Sequence, residues 1–202
     1  MTSNSRRTAR QLRVIGGEWR GRRWRFPASD AIRPTPDRVR ETLFNWLMGR
    51  VAGARALDLF AGSGALGLEA LSRGAAHVTF VERDAQAARG IEAALAAFGG
   101  ARSDVHCADA LQFLGRAARP YDLVFLDPPF DSDLATRAAA ALESGGWLAD
   151  DARIYLELPA RTPLPGVPGT WRPLKSGRAG DVGYHLLARA AASRADRGAI
   201  EA

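Results

Sequence analysis

Between residues 55 and 158, short apolar runs alternate with stretches of helical periodicity, and this alternation restricts the chain more than any other feature. The runs are Ala56–Phe60, His77–Glu82, Asp104–Cys107, Leu123–Asp127 and Ile154–Leu158. The helical stretches fall at about 65–73, 84–98, 109–117 and 132–144. Alternation of this kind builds a parallel sheet, and a parallel sheet must be covered by helices on both faces. After a loop carrying Pro159, Pro163, Pro165 and Pro168, segments 171–176 and 182–188 are expected to close the sheet as an antiparallel pair. The pattern predicts an α/β protein.

The first run passes directly into Ala61-Gly62-Ser63-Gly64-Ala65-Leu66-Gly67. Glycines at such a turn let a ligand lie against the N-terminus of the next helix. Glu82 follows Gly62 by 20 residues, at the end of the second run, where it suits ribose hydroxyls. Leu68-Glu69 stand where a P-loop needs Lys-Ser/Thr, and Ala61 and Ala65 replace the glycines of a nucleophile elbow. Asp58 precedes the loop and would repel a pyrophosphate, while Asp109 ends the third run. Three carboxylates at successive strand ends suit a ligand with a cationic amino-acid head, a ribose and an adenine amine, which describes S-adenosylmethionine. The expected cofactor-binding residues are Asp58, Phe60, Ala61, Gly62, Ser63, Gly64, Glu82, Arg83, Asp109 and Ala110. Asp109 is also well placed to cap the following helix. An NAD-dependent oxidoreductase would account for the loop and Glu82 but not for the fourth strand end.

That fourth end reads Asp127-Pro128-Pro129-Phe130. Two prolines cannot continue a strand and make a rigid turn. The Asp127 carboxylate and the Pro128 carbonyl become a fixed pair of acceptors for the two N–H groups of an exocyclic amine, aiming its lone pair by positioning. Phe130 can stack on the base that carries the amine. The expected catalytic residues are therefore Asp127, Pro128, Pro129 and Phe130. The same turn would serve an adenine-N6 or DNA amino-methyltransferase.

Charge divides the chain unevenly. Residues 1–50 hold 12 arginines against Glu18, Asp30, Asp37 and Glu41, whereas the whole chain carries only +6. Nucleic-acid phosphates are the expected partner of that basic quarter. It divides into a disordered arm (1–11), a basic hairpin (12–32) and the start of the main domain (33–188), which a tail (189–202) follows. Phosphate contacts are expected from Arg20, Arg22, Arg23, Arg25, Arg33, Thr35, Arg38 and Arg40. A non-catalytic RNA-binding assembly factor would share that basic face.

No run approaches the ~20 apolar residues of a membrane span, and no apolar segment follows Arg6-Arg7 as export would require. No membrane association is expected, and the cytoplasm is the expected location. No Cys/His cluster has metal-ligand spacing, so no metal is expected. Cys107, the single cysteine, is expected to be a buried small residue, and no role is assigned to His77, His106 or His185.

Four segments carry a resemblance. Val14-Ile15-Gly16-Gly17-Glu18-Trp19-Arg20-Gly21-Arg22, the stretch Arg33–Leu47, and Asp58–Leu71 with Asp127–Phe130 resemble, in order, the RsmD family of bacterial 16S ribosomal RNA (guanine-N2)-methyltransferases. The resemblance implies a seven-stranded, mostly parallel Rossmann-like sheet with helices on both faces, S-adenosylmethionine as methyl donor and one guanine of 16S ribosomal RNA as target. It also implies a small ribosomal subunit or its assembly intermediate as the true substrate. The enzyme is expected to act as a monomer.

Overall fold

The computed structural model describes residues 10–27, 35–130, 133–162, 164 and 166–190. The expected arm up to residue 9, Arg33 and the tail from residue 191 lie outside the described residues.

The main sheet has seven strands: β3 (Arg55–Asp58), β4 (His77–Glu82), β5 (Ser103–Cys107), β6 (Tyr121–Leu126), β7 (Leu148–Pro159), β8 (Trp171–Ala179) and β9 (Val182–Arg189). Their order is β5-β4-β3-β6-β7-β9-β8. The first five are parallel to one another, while β9 pairs antiparallel with both β7 and β8. Before the sheet come the antiparallel strands β1 (Arg10–Arg13) and β2 (Arg23–Phe26), which form the expected basic hairpin.

Helices cover both faces, as parallel strands require. On one face lie α1 (Asp37–Trp46), α2 (Ala65–Ser72) and α3 (Ala85–Phe98), whose apolar residues share a core with Ala56, Val78, Phe80, Leu123, Phe125 and Tyr155. On the other lie α4 (Ala110–Leu114) and α5 (Leu134–Ser144), packed against Leu57, Val124, Leu126, Ile154 and Leu156. The caps follow the sequence: Asp84 accepts the Ala87 N–H, Asp109 accepts the Leu111 and Gln112 N–H groups, and Gly99 ends α3 in the left-handed region. The order in which strands are added reverses at β3, with β4 and β5 laid to one side and β6 and β7 to the other, so a crevice opens at the carboxyl ends of these parallel strands.

Several expectations shift. Strand β7 begins at Leu148 rather than Ile154, because Leu148 pairs with Tyr121 ahead of a register break. Helix α4 stops at Leu114, not near 117, where Gly115 caps it. Cys107 is exposed rather than buried, since β5 is an edge strand of the sheet and its side chains are only partly covered. No helix among the described residues is long and apolar enough to cross a membrane.

Candidate active site

The crevice is walled by the glycine-rich turn between β3 and α2. Gly62 and Gly64 take φ of +52° and +77°, a region open to glycine, and Gly64 starts α2. Gly67 lets α2 settle on the sheet: a Cβ there would lie 2.2 Å from Phe80 Cε1. The carboxylates expected to hold a ligand also brace this loop. Asp58 accepts the Gly67 N–H at 3.0 Å. Glu82 accepts the Gly62 N–H at 2.7 Å through one oxygen and the Asp84 N–H at 2.7 Å through the other. Asp109 caps α4. Asp58 and Glu82 keep unused lone pairs, and Asp109 keeps its second oxygen, so these bonds leave acceptor capacity.

Asp58 is buried, and loss of water pushes its carboxyl up to about 7; the Gly67 N–H opposes the rise and the Glu82 charge adds to it. Ala61 and Ser63 are buried, Gly62 and Phe60 half-buried, and Ala110 sits beneath the α4 start. Arg83 is exposed, and its carbonyl faces the Cys107 thiol at 3.9 Å.

Across the crevice stands the Asp-Pro-Pro-Phe turn. Pro128 is buried, while Pro129 and Phe130 are exposed, leaving the aromatic ring at the mouth. The β6/β7 register pairs Leu126 with Leu156, so the next residues, Asp127 and Glu157, adjoin on the face occupied by Asp58. Desolvation raises the Asp127 carboxyl well above its ordinary range, and the charges of Glu157 and Asp58 push it further.

Glu157 was not anticipated. It is buried, accepts the Tyr155 hydroxyl at 2.7 Å and the Thr35 hydroxyl at 3.0 Å, and is itself pushed up by burial. The signal was present in the sequence as a lone acid inside Ile154-Tyr155-Leu156-Glu157-Leu158, since glutamate is rarely fully buried without partners. Trp24 was also missed: its indole N–H donates to the Ser63 carbonyl at 2.9 Å, tying the hairpin to the glycine-rich loop.

The expected phosphate contacts separate into two groups. Arg20, Arg23, Arg25 and Arg38 are exposed. Arg22 is exposed too, but its guanidinium caps α3, donating to the Ala97 and Phe98 carbonyls at 2.5 and 3.3 Å and lying over the Phe98 ring. Arg40 and Thr35 are corrected. Arg40 has no exposed side-chain surface; it donates to the Arg13 carbonyl and Asp37 and lies 3.6 Å from Glu69, so no phosphate can reach it. Thr35 is 5% exposed, and its hydroxyl is committed to Glu157. Both positions read as surface in the sequence because the acids that bury them, Glu69 and Glu157, lie 29 and 122 residues away.

A crevice with glycines and carboxylates on one wall and an Asp-Pro-Pro-Phe turn on the other, at the strand ends of this sheet, defines a Rossmann-like methyltransferase. A family model described as "Conserved hypothetical protein 95" matches residues 12–188. Among similar proteins is the Ribosomal RNA small subunit methyltransferase D of Escherichia coli K12, 46% identical over 92% of this chain and 94% of its own length. The protein of that name from Haemophilus influenzae is 42% identical over 87% of this chain and 93% of its own. The solved structure of yhhF from Escherichia coli superposes with a TM-score of 0.84 at 46% identity, covering 90% of this chain and 99% of that one. The chain belongs to this family, the RsmD family.

Proposed function

We propose that the protein transfers a methyl group from S-adenosylmethionine to the exocyclic N2 of a guanine in small-subunit ribosomal RNA. The observation that carries this reading is the adjacency of Asp127 to the crevice walled by Asp58, Gly62–Gly64 and Glu82, with family members named for small-subunit ribosomal RNA methylation.

The residues fit the donor chemically. The strand ends offer acceptors only, and the ammonium, ribose hydroxyls and adenine amine of S-adenosylmethionine are all donors. Asp58 and residues 61–64 would seat the methionine end, Phe60 and Glu82 the ribose, and Asp109, with Arg83 and Ala110 beside it, the adenine. When bound, that cofactor supplies an electrophilic methyl group on a sulfonium.

Asp127 and the Pro128 carbonyl take the two N–H groups of the target amine and aim its lone pair. The raised carboxyl of Asp127 makes it a stronger base than an ordinary aspartate, suited to receiving the proton as the amine is alkylated. Phe130, exposed at the mouth, stacks on a guanine turned out of its helix. Pro129 keeps the turn rigid. The exposed Arg20, Arg23, Arg25 and Arg38 hold RNA phosphates.

The test is methyl incorporation from labelled S-adenosylmethionine into unmodified small subunits, followed by nucleoside analysis. Wild type should yield N2-methylguanosine. Asp127→Ala should lose about 10²–10⁴-fold in kcat, the span of a removed base and orienting group, with cofactor affinity within a few-fold of wild type. Methylated adenine in the product, or full activity in the variant, refutes the assignment.

A further inference from the structure

A second cationic surface lies on the far edge of the sheet. From Leu158 to Gly180 the chain has four cations (Arg161, Arg172, Lys175, Arg178) and no acid. Three of them are on β8, and all three are exposed. Elsewhere the arginines are widely paired: Arg50 with Asp151, Arg73 with Glu69, Arg137 with Asp133, and Arg189 of the adjacent strand with Glu143. Among the described residues, no ion pair neutralises Arg172, Lys175 or Arg178.

Strand geometry gathers two of these charges on one face. Residues three apart normally point to opposite faces of a sheet. A register break between Pro173 and Lys175 inserts one residue, so that Arg172 stands opposite Ala188 and Lys175 opposite Leu186. Ala188 and Leu186 are two apart and share a face, and Leu186 belongs to the core beneath α1. Arg172 and Lys175 therefore flank α1, on the sheet face that carries Asp127 and Glu157. Arg178 sits opposite Gly183, on the other face of this edge strand and near the β8–β9 turn. That turn lies at the catalytic end, because Ala179 pairs with Val182 and Val182 with Pro159 at the carboxyl end of β7.

Lysine and proline on an edge strand discourage pairing with other chains, which accounts for Pro173 and Lys175. It does not account for arginines at both ends of the strand, nor for the 23-residue stretch without an acid. We propose that Arg172, Lys175 and Arg178 form a second phosphate-holding surface, across the catalytic turn from the basic hairpin, so that RNA is gripped on both sides of the flipped base. This rests on the reading of RNA as substrate, and it names where that substrate leaves the site.

The experiment compares the full-length protein with an Arg172→Gln, Lys175→Gln, Arg178→Gln variant, binding a labelled small-subunit ribosomal RNA transcript between 50 and 300 mM KCl. Three lost phosphate contacts should lower the magnitude of the log–log salt slope by about 2. The KM for RNA should rise at least several-fold, with kcat within about twofold and S-adenosylmethionine affinity unchanged. A control variant, Arg102→Gln, Arg116→Gln, Arg119→Gln, removes as much exposed charge from the loops that lead into β5 and β6, away from β8. An unchanged slope in the β8 variant, or an equal loss in the control, overturns the proposal. If wild type binds RNA but incorporates no methyl, the enzymatic reading fails while the slope still decides whether β8 holds phosphate.

Discussion

Asp58 shows how one buried acid ties stability to pH. Its folded value of about 7 lies above the 3.8 of an unfolded aspartate, so between those limits the folded protein keeps a proton that the unfolded chain has released. The contribution is fully present below about pH 4 and is lost as pH rises toward 7. Asp58→Asn can still accept the Gly67 N–H but cannot ionise. At about 1.4 kcal/mol per pH unit, wild type should lose about 2–3 kcal/mol more than the variant between pH 5 and pH 8. Urea unfolding at the two pH values measures this, and parallel losses would show that Asp58 does not carry the proton. Asp58 and Asp127 were legible as candidate site residues because strand ends are where such folds place chemistry. Glu157 was passed over because its meaning depends on Thr35 and Tyr155, one of which is 122 residues distant.

At the scale of elements, the glycine-rich segment before β2 is a tether. The Ile15 and Gly16 N–H groups donate to the two oxygens of Glu69 on α2, at 2.9 and 2.8 Å, and Ser72 bonds the Gly16 carbonyl and the Trp19 N–H. Gly17 has φ +77°, and a Cβ there would fall 1.9 Å from the Ser72 carbonyl oxygen. Within the Val14–Arg22 segment, Ile15 to Trp19 are thus explained by docking onto α2, while Arg20 stays exposed. Glu69 has no exposed side-chain surface and also pairs with Arg73 and buried Arg40. Glu69→Ala would strand these partners and should cost about 3–5 kcal/mol. That corresponds to a fall in melting temperature of about 6–20 °C, with limited trypsin cutting first in the hairpin. Unchanged melting and cutting would show that the tether contributes little. The hairpin itself was legible from its alternating arginines and aromatics; its dock was not.

For the whole molecule, the net charge of +6 is a sum over regions with different tasks. The hairpin cations Arg20, Arg23 and Arg25 and the β8 cations stand on separate elements with no shared partners, so their effects should add. Glutamine at the three hairpin positions should lower the salt slope of RNA binding by about 2, and at all six by about 4, measured by titration at several salt concentrations. A combined loss no greater than either alone would mean that the two surfaces do not hold one RNA. The parallel strands and helices along the chain, and the glycine-rich loop and Asp-Pro-Pro-Phe turn at strand ends, were determined by the sequence, because hydrophobic period, glycine and proline act locally. Tertiary structure alone decided which cations are free. Arg40 and Thr35 were withdrawn by acids far along the chain, and Arg172 and Lys175 were brought to one face by a single extra residue in β8. Charge is written residue by residue, but whether it faces water depends on partners that only the folded chain brings near.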